Sequence, residues 1–214
     1  MSVLSKLQII EENVPKVYEA GKLQSGGNPL EYAKQLTNLF YDATFPENHE
    51  VTITAPFVTA MNSCFQNASN VKTITMIGNN NGSAVSCSGS FRGCSVEVID
   101  LTGFIAKISN GQLMFSGAKF LKTIKGELDL SECTNTTNAF ASCTALEQVQ
   151  FKDETISLSI SFANSTLLTA ESVQSIIDGL ATVETAQTLT LHRAITLTDE
   201  QKAQISSKNW TLVQ

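Results

Sequence analysis

Two histidines, His49 and His192, are the residues of this sequence best suited to act as a general base. A hydrolytic triad would place one of them beside a serine or cysteine and an acid, and a metal site would add cysteine or carboxylate ligands. Neither histidine has a cysteine nearby in sequence, and the chain contains no G-x-S-x-G, H-E-x-x-H or phosphate-binding glycine motif. We therefore expect a protein without enzymatic activity, cofactor or metal.

The cysteines are the other residues that could carry chemistry. Their number is odd, and no two of them form a C-x-x-C pair. Unpaired cysteines of a chain this large are usually buried and inert, so we expect free thiols; a disulfide between two of them is the alternative in an oxidising environment. The five residues are Cys64, Cys87, Cys94, Cys133 and Cys143.

Composition narrows the class of protein. The 214 residues are 42% hydrophobic with a mean hydropathy of +0.02, which is typical of a folded chain. The net charge of −6 argues against a nucleic-acid-binding surface, and no apolar run approaches the roughly 18 residues that a membrane span needs. The first residues lack the pattern of a secretory signal, so we expect a cytoplasmic or virion-associated protein rather than a secreted one.

The middle of the chain repeats every 25 residues. Segments that begin with VKTITM, VEVIDL, LKTIKG and LEQVQF start at residues 71, 96, 121 and 146. Their aligned apolar residues form a first column of Val71, Val96, Leu121 and Leu146, and a second column of Ile74, Ile99, Ile124 and Val149. A third column of Met76, Leu101 and Phe151 is interrupted at Gly126, where we expect Leu128 and Leu130 to replace the missing side chain.

A phenylalanine followed three residues later by a small residue precedes each of these segments. The sequences are FQNA at 65, FRGC at 91, FSGA at 115 and FASC at 140, with a weaker FANS at 162. Large and small residues at fixed offsets allow stacked units to interdigitate. The polar segment before each phenylalanine, such as residues 83–90, is expected to form the turning part of a unit.

The spacing L-x-x-L-x-L and the period of 25 are typical of leucine-rich repeats. One such unit cannot bury its apolar edge alone, so successive units stack their strands into a parallel sheet. The predicted fold is an α/β leucine-rich-repeat solenoid of about four to five coils, with helical caps at both ends. The predicted regions are an N-terminal cap (1–50), the repeats (51–167) and a C-terminal cap (168–214), joined in one structural unit.

The pattern of phenylalanine, small residue, leucine and valine resembles the BspA-like leucine-rich repeats of bacterial surface and phage-associated proteins. Residues 51–167 carry the resemblance, and Phe140, Cys143, Leu146 and Val149 match it best. The stretch that follows Thr169 is similar to the tail of phage-associated members. The resemblance implies a bacterial or prophage-encoded protein that engages a protein or host-surface partner, and the absent signal and anchor favour a phage-type or intracellular origin.

The predicted caps rest on local signals. Asn28-Pro29 with Glu31 is typical of a helix start, and the spacing of Leu30, Ala33, Leu36 and Phe40 predicts an apolar helix face.

At the C-terminal end we predict the order helix, strand, helix, strand. Thr169 opens the first helix, and Thr198 and Gln201 form a capping box before the second. Trp210, Leu212 and Val213 are expected to finish a last strand against the repeats.

Residues 3–17 contain a heptad-like pattern. Val3, Leu7, Ile10, Val14 and Val17 are spaced by four and three residues, as in a coiled coil. Two heptads are fewer than a stable coiled coil needs, and Pro15 would kink the helix. Oligomerisation through this segment is therefore not favoured over a helix packed on the repeats or an unpaired arm.

The solvent-facing positions of the predicted strands form the candidate interaction face. A ligand-binding face usually carries aromatics or one sign of charge, and these columns show neither, so a role in fixing the register of the sheet is favoured over binding. We expect a non-enzymatic protein that mediates protein–protein or host-surface interaction; the alternatives are a structural virion or tail component and a carbohydrate- or cell-wall-binding module, which would want exposed Trp or Tyr. The first column is Lys72, Glu97, Lys122 and Glu147, and the second is Thr75, Asp100, Lys125 and Gln150.

Overall fold

The computed structural model describes Leu30 and residues 33–78, 82–104 and 106–214. Over these residues the protein is an α/β fold with parallel sheets and two helices. The strands before the first helix are β1 (Thr44–Ala55), β2 (Ser69–Gly78), β3 (Val85–Ser86), β4 (Val98–Phe104), β5 (Ile108–Asn110), β6 (Thr123–Leu128), β7 (Gln148–Phe151) and β8 (Ile160–Phe162). The remaining elements are α1 (Ala170–Gly179), β9 (Gln187–Leu191), α2 (Asp199–Ser207) and β10 (Trp210–Val213).

The main sheet has five parallel strands in the order β1-β2-β4-β6-β7. Ile74 pairs with Ile99 and Ile99 pairs with Ile124, so neighbouring strands are offset by the period read from the sequence. Every member of the first two apolar columns is buried. Along β2 the column residues Val71 and Ile74 are buried, whereas Lys72 is exposed and Thr75 is half-buried, so the apolar columns lie in the core and the polar columns lie outside it.

The predicted phenylalanines form a continuous buried row behind the sheet. Successive ring centroids lie 5.0, 5.8, 5.6, 5.1 and 4.6 Å apart. In each turn the backbone nitrogen of the small residue donates to the carbonyl of its phenylalanine, as Ala118 does to Phe115 at 3.0 Å. The weaker FANS segment at 162 also belongs to the row. Its Ser165 is buried, and the Ser165 hydroxyl donates a hydrogen bond to the carbonyl of Cys143. The row consists of Phe40, Phe65, Phe91, Phe115, Phe140 and Phe162.

The row begins one unit earlier than the sequence pattern indicated. Phe40 and Ala43 occupy the positions of phenylalanine and small residue, and the backbone nitrogen of Phe40 donates to the carbonyl of Cys64. The predicted helix through Ala33, Leu36 and Phe40 is therefore wrong over residues 33–43, which form a bridge and turns. Asn38 and Asp42 have φ angles of 60° and 52°, which an α-helix does not allow. The predicted helix start at residues 28, 29 and 31 lies outside the described residues, as does the heptad pattern of residues 3–17.

Left-handed backbone recurs two residues before and two residues after each phenylalanine of the first five turns. Most of these positions hold Asn, Asp, Gly or Ser, which tolerate positive φ, whereas Leu113 is a bulky residue at φ 56°. The earlier positions are Asn38, Ser63, Gly89, Leu113 and Asn138, and the later ones are Asp42, Asn67, Gly93, Gly117 and Ser142.

Gly126 interrupts the third apolar column through a change of register. Its φ of 87° and the shift between Thr123 and Glu127 move the following residues along the strand. Leu128 then pairs with Phe151 and is buried, so it fills the place that the sequence analysis assigned to it. A Cβ atom at Gly126 would lie 2.9 Å from the backbone of Leu101, which requires glycine there.

Short strands also occur in the segments expected to form only turns. β3 pairs with β5 in parallel, and isolated bridges join Gln35 to Ala60 and Ala60 to Ser86. A third sheet has the order β10-β9-β8. Successive units are thus hydrogen-bonded to one another in the main sheet and again through these short strands and bridges, which include residues of the polar segment 83–90.

The C-terminal elements have the predicted order of helix, strand, helix and strand. Thr169 is the N-cap of α1, and both hydrogen bonds of the capping box between Thr198 and Gln201 are present. Lys208 follows α2, and its Nζ donates to three carbonyls at the end of α1, the shortest at 2.6 Å to Leu180. A cation at this end satisfies carbonyls that the helix leaves unpaired.

Candidate functional site

The first outer column contains a well-formed ion pair. Lys122 Nζ lies 2.8 Å from Glu97 Oε2, and 51% and 37% of the two side chains remain exposed. The hydrogen bond from Lys122 lowers the pKa of Glu97, and the same bond raises the pKa of Lys122. Lys72 and Glu147 act on this pair electrostatically from the flanking strands, so the column carries alternating charges along the sheet.

The second outer column is continuous over three strands and then changes register. Thr75 pairs with Asp100, and Asp100 pairs with Lys125, whose Nζ lies 3.7 Å from its carboxylate. Hydrogen bonds from Thr102 lower the pKa of Asp100, with the Lys125 charge contributing further. Gln150 pairs with Glu127 rather than following Lys125, because the bulge at Gly126 shifts β6 against β7.

Two grooves open beside these columns. The first, called here the β6–β7 groove, has a volume of about 500 Å³. It is lined by Thr102, Thr123, Ile124, Lys125, Gly126, Gln148, Val149, Gln150, Thr169, Glu171 and Ser172. Its hydroxyl and amide groups offer hydrogen bonds with little net charge. The predicted residues Lys125 and Gln150 thus border the same depression.

The second, called here the Phe120 groove, lies at the beginnings of the strands and has a volume of about 380 Å³. It is lined by Glu47, Asn48, Asn70, Val71, Lys72, Ser95, Glu97 and Phe120. The predicted residues Lys72 and Glu97 therefore belong to it. Phe120 was missed because the repeat analysis followed the apolar columns and the two polar columns after them, and not the position just before the first apolar column.

A signal for Phe120 does exist in the sequence. In the position just before the first apolar column the units carry Asn70, Ser95, Phe120 and Ala145. A large aromatic residue in a position otherwise polar or small is not needed for the core. The structure leaves 61% of Phe120 exposed.

The two histidines lie in different parts of the fold. His49 lies in β1 and its ring stacks on Phe45 with centroids 5.4 Å apart, whereas His192 follows β9 and accepts a hydrogen bond from Ala194. Within the described ranges, no group of three His, Cys, Asp or Glu side chains is placed to hold a metal ion.

The five cysteines are free and buried, as the sequence predicted. Burial raises the pKa of Cys87, Cys94 and Cys143 to about 12 in each case, and it raises that of Cys64 as well. These four sulfur atoms are therefore protonated at neutral pH and act as packing groups rather than nucleophiles.

No helix among the described residues is long and apolar enough to cross a membrane. No protein-family model, curated protein or solved structure matches this chain.

Proposed function

We propose that this chain is a leucine-rich-repeat solenoid of the BspA-like class and that it serves as a non-enzymatic interaction protein. The outer face of the five-stranded sheet is its binding surface. The partner is a protein or a component of a host surface, and a bacterial or prophage origin is part of the same proposal, which the sequence resemblance supports.

The observation that carries the proposal is the register of the sheet. Because Ile74, Ile99 and Ile124 are paired in line, the residues between the buried columns reach the same outer side on each strand. Repeat proteins commonly bind through such extended, rigid faces. The outer face collects charged and amide side chains from β2, β4, β6 and β7 without using any of them in the core.

The second line of support is that these side chains are exposed although they are paired. More than half of the side-chain surface of Lys122 and of Lys125 faces solvent. Exposed ion pairs of this kind contribute little to stability, so they can exchange their partners for those of another molecule. Electrostatic complementarity of this sort sets specificity and association rate.

A photo-crosslinking experiment tests the proposal. Benzoylphenylalanine is placed at position 150, on the outer face, and in a control protein at position 157, which is exposed but outside the outer columns. Each protein is irradiated with cells of the source organism before and after prophage induction. A partner that crosslinks from position 150 alone is then purified for an affinity measurement.

The affinity of that partner decides the outcome. We expect Lys122→Glu with Lys125→Glu to weaken binding by about tenfold or more, because each reversal places like charges across the interface. Lys119→Glu, an exposed position outside the columns, is the control with the same type of charge change. Equal affinity of the double variant and the wild type would contradict the proposal.

A further inference from the structure

Phe120 is an exposed aromatic residue in a protein that buries nearly all of its phenylalanines. Its relative exposure is 61%, compared with 40% for Phe57 and at most 6% for the other nine. Its neighbours Phe115 and Leu121 are completely buried and fill the core at this level. Most of the Phe120 side chain therefore lies outside the core, and it lines the Phe120 groove.

The groove places hydrogen-bonding side chains from β1, β2 and the residue before β4 around this ring. Glu47 lies in β1, Asn70 and Lys72 lie in β2, and Glu97 comes directly before β4. These elements are neighbours in the sheet, so with Phe120 the groove crosses four chain passes, a distance of about 14 Å at ordinary strand spacing. That extent suits a short chain of linked rings better than a single small ion.

The lining of the groove carries two carboxylates and one ammonium group, and the charges balance once Lys122, which is paired with Glu97, is counted. Lys72 lies between Glu47 and Glu97, and Glu97 is also paired with Lys122 at 2.8 Å. A site for an anion or a cation would present a net opposite charge. The groove instead combines carboxylates that accept hydrogen bonds, an ammonium group that donates them and the amide of Asn70, which does both. Neighbouring hydroxyl groups of a sugar, which both donate and accept, can bond to such a combination.

A buried hydroxyl in the wall of the groove lacks a partner. Ser95 Oγ is inaccessible to solvent and makes no hydrogen bond to any residue that the structure describes. Buried hydroxyls without a partner are rare in native proteins, and an absent ligand is one explanation for them. Ser95 also lines the groove.

From these observations we propose that the Phe120 groove binds a neutral oligosaccharide. The C–H face of one sugar ring lies on Phe120, and hydroxyl groups of the chain bond to Asn70, Lys72, Glu97 and Ser95. Flat aromatic rings with a few placed polar groups are the general composition of such ligand sites. This proposal rests on the proposed function, since it shares Lys72 and Glu97 with the outer face, and it names the chemistry of the ligand.

The test begins with an array of neutral, sialylated and sulfated oligosaccharides probed with the whole chain. The best neutral oligosaccharide is then titrated calorimetrically into the wild type, Phe120→Ala, Phe120→Trp and Phe57→Ala. We expect Phe120→Ala to raise Kd by about tenfold or more, because truncation removes the stacking surface. Phe120→Trp is expected to retain binding, and Phe57→Ala, which alters an exposed ring outside the groove, is expected to leave Kd unchanged.

Three results would overturn the assignment. These are the absence of any neutral oligosaccharide on the array, binding restricted to charged glycans, and an unchanged Kd for Phe120→Ala. A purified protein partner that requires Phe120 while no glycan binds would equally overturn it, yet would leave the proposed function intact. The converse result is glycan binding that depends on Phe120 while the double variant Lys122→Glu with Lys125→Glu keeps the wild-type affinity for the protein partner. That result would support the saccharide site and contradict the proposal that the outer face binds the partner.

Discussion

The hydroxyl oxygen of Ser172 lies 3.0 Å from the backbone nitrogen of Val149, which donates a hydrogen bond to it. The same hydroxyl donates to the carbonyl of Glu147, also at 3.0 Å. One serine on α1 therefore replaces both the acceptor and the donor that a further strand would offer to β7. Ser175 accepts from Phe151 in the same way at 2.9 Å. The helix thus covers an edge that could otherwise pair with another chain.

Replacing Ser172 by alanine should destabilise the protein. The substitution removes the acceptor of the buried Val149 nitrogen, which costs about 1–3 kcal/mol of unfolding free energy. The carbonyl of Glu147 loses the bond from Ser172 but keeps the one from the backbone nitrogen of Thr169 at 2.9 Å. Urea denaturation measures the change. Ser206→Ala, at a hydroxyl that bonds only within its own exposed helix, is the control and should remain within about 0.5 kcal/mol of the wild type.

Replacement by alanine should change the unfolding free energy by very different amounts at two phenylalanines that are five residues apart. Phe115→Ala removes a fully buried ring between Phe91 and Phe140 and should cost about 3–5 kcal/mol. Phe120→Ala removes a mostly exposed ring and should change the unfolding free energy by less than about 0.5 kcal/mol. Equal losses for the two variants in urea denaturation would contradict the division between the buried row and the groove.

Leu113→Asn should stabilise the protein. Leucine at φ 56° carries a steric penalty that asparagine relieves, and Asn38 and Asn138 occupy the corresponding places of other units. We expect a gain of about 0.5–1 kcal/mol and a higher Tm. Leu113→Ala is the matched control, because it shortens the side chain without relieving the backbone. The interpretation fails if the alanine variant is as stable as the asparagine variant.

Lys122→Glu should lower the urea midpoint. The change breaks the 2.8 Å pair with Glu97 and places three acidic residues in succession along the first outer column. Lys119→Glu makes the same charge change outside the column and should leave the midpoint close to that of the wild type. If both variants have the wild-type midpoint, the outer charges do not interact across the strands.

The stability contributed by Asp129 should disappear in acid. Burial acts to raise the pKa of this carboxyl, but the hydrogen bonds from Lys152 Nζ at 2.8 Å and from Ser131 outweigh burial and lower the pKa. Its folded pKa therefore lies below its unfolded value of about 3.9, so its contribution is complete above that pH and is lost as the pH falls through the folded pKa.

Comparison with Asp129→Asn measures that contribution. The difference in unfolding free energy between wild type and variant should be constant from about pH 7 to pH 5 and should shrink below about pH 4. A difference that persists unchanged at pH 2–3 would show that the charge of Asp129 is not what stabilises the fold.

The repeat itself could be predicted from the sequence because its buried columns keep a fixed spacing. Ile74, Ile99 and Ile124 are aligned by counting alone, and the structure pairs them. The first unit could not be found in this way. β1 pairs Thr44 with Ser69 but His49 with Val71, so extra residues in β1 interrupt the period of 25 in the first unit.

The error at the N-terminal side has a physical cause. The spacing of Ala33, Leu36 and Phe40 fits one face of a helix as well as it fits a turn that buries the same residues. The positive φ angles of Asn38 and Asp42 distinguish the turn from the helix, and the spacing of apolar residues carries no information about backbone angles.

The candidate site was predictable in part for the same reason. Asp100 and Lys125 directly follow the buried Ile99 and Ile124, so the period of two along a strand places them on the outer side. The shift of Gln150 onto Glu127 depends on the local geometry of Gly126. The edge contact of Ser172 depends on where α1 packs, which no spacing in the sequence encodes.

Lysine footprinting with the purified crosslinked partner tests the central claim most directly. The free protein and the complex are acetylated briefly with acetic anhydride, and the labelling of each lysine is read by mass spectrometry. If the outer face is the binding surface, Lys72, Lys122 and Lys125 should lose labelling in the complex while the exposed Lys34 and Lys202 keep it. Unchanged labelling of the three outer lysines, with protection at Lys34 or Lys202, would contradict the account.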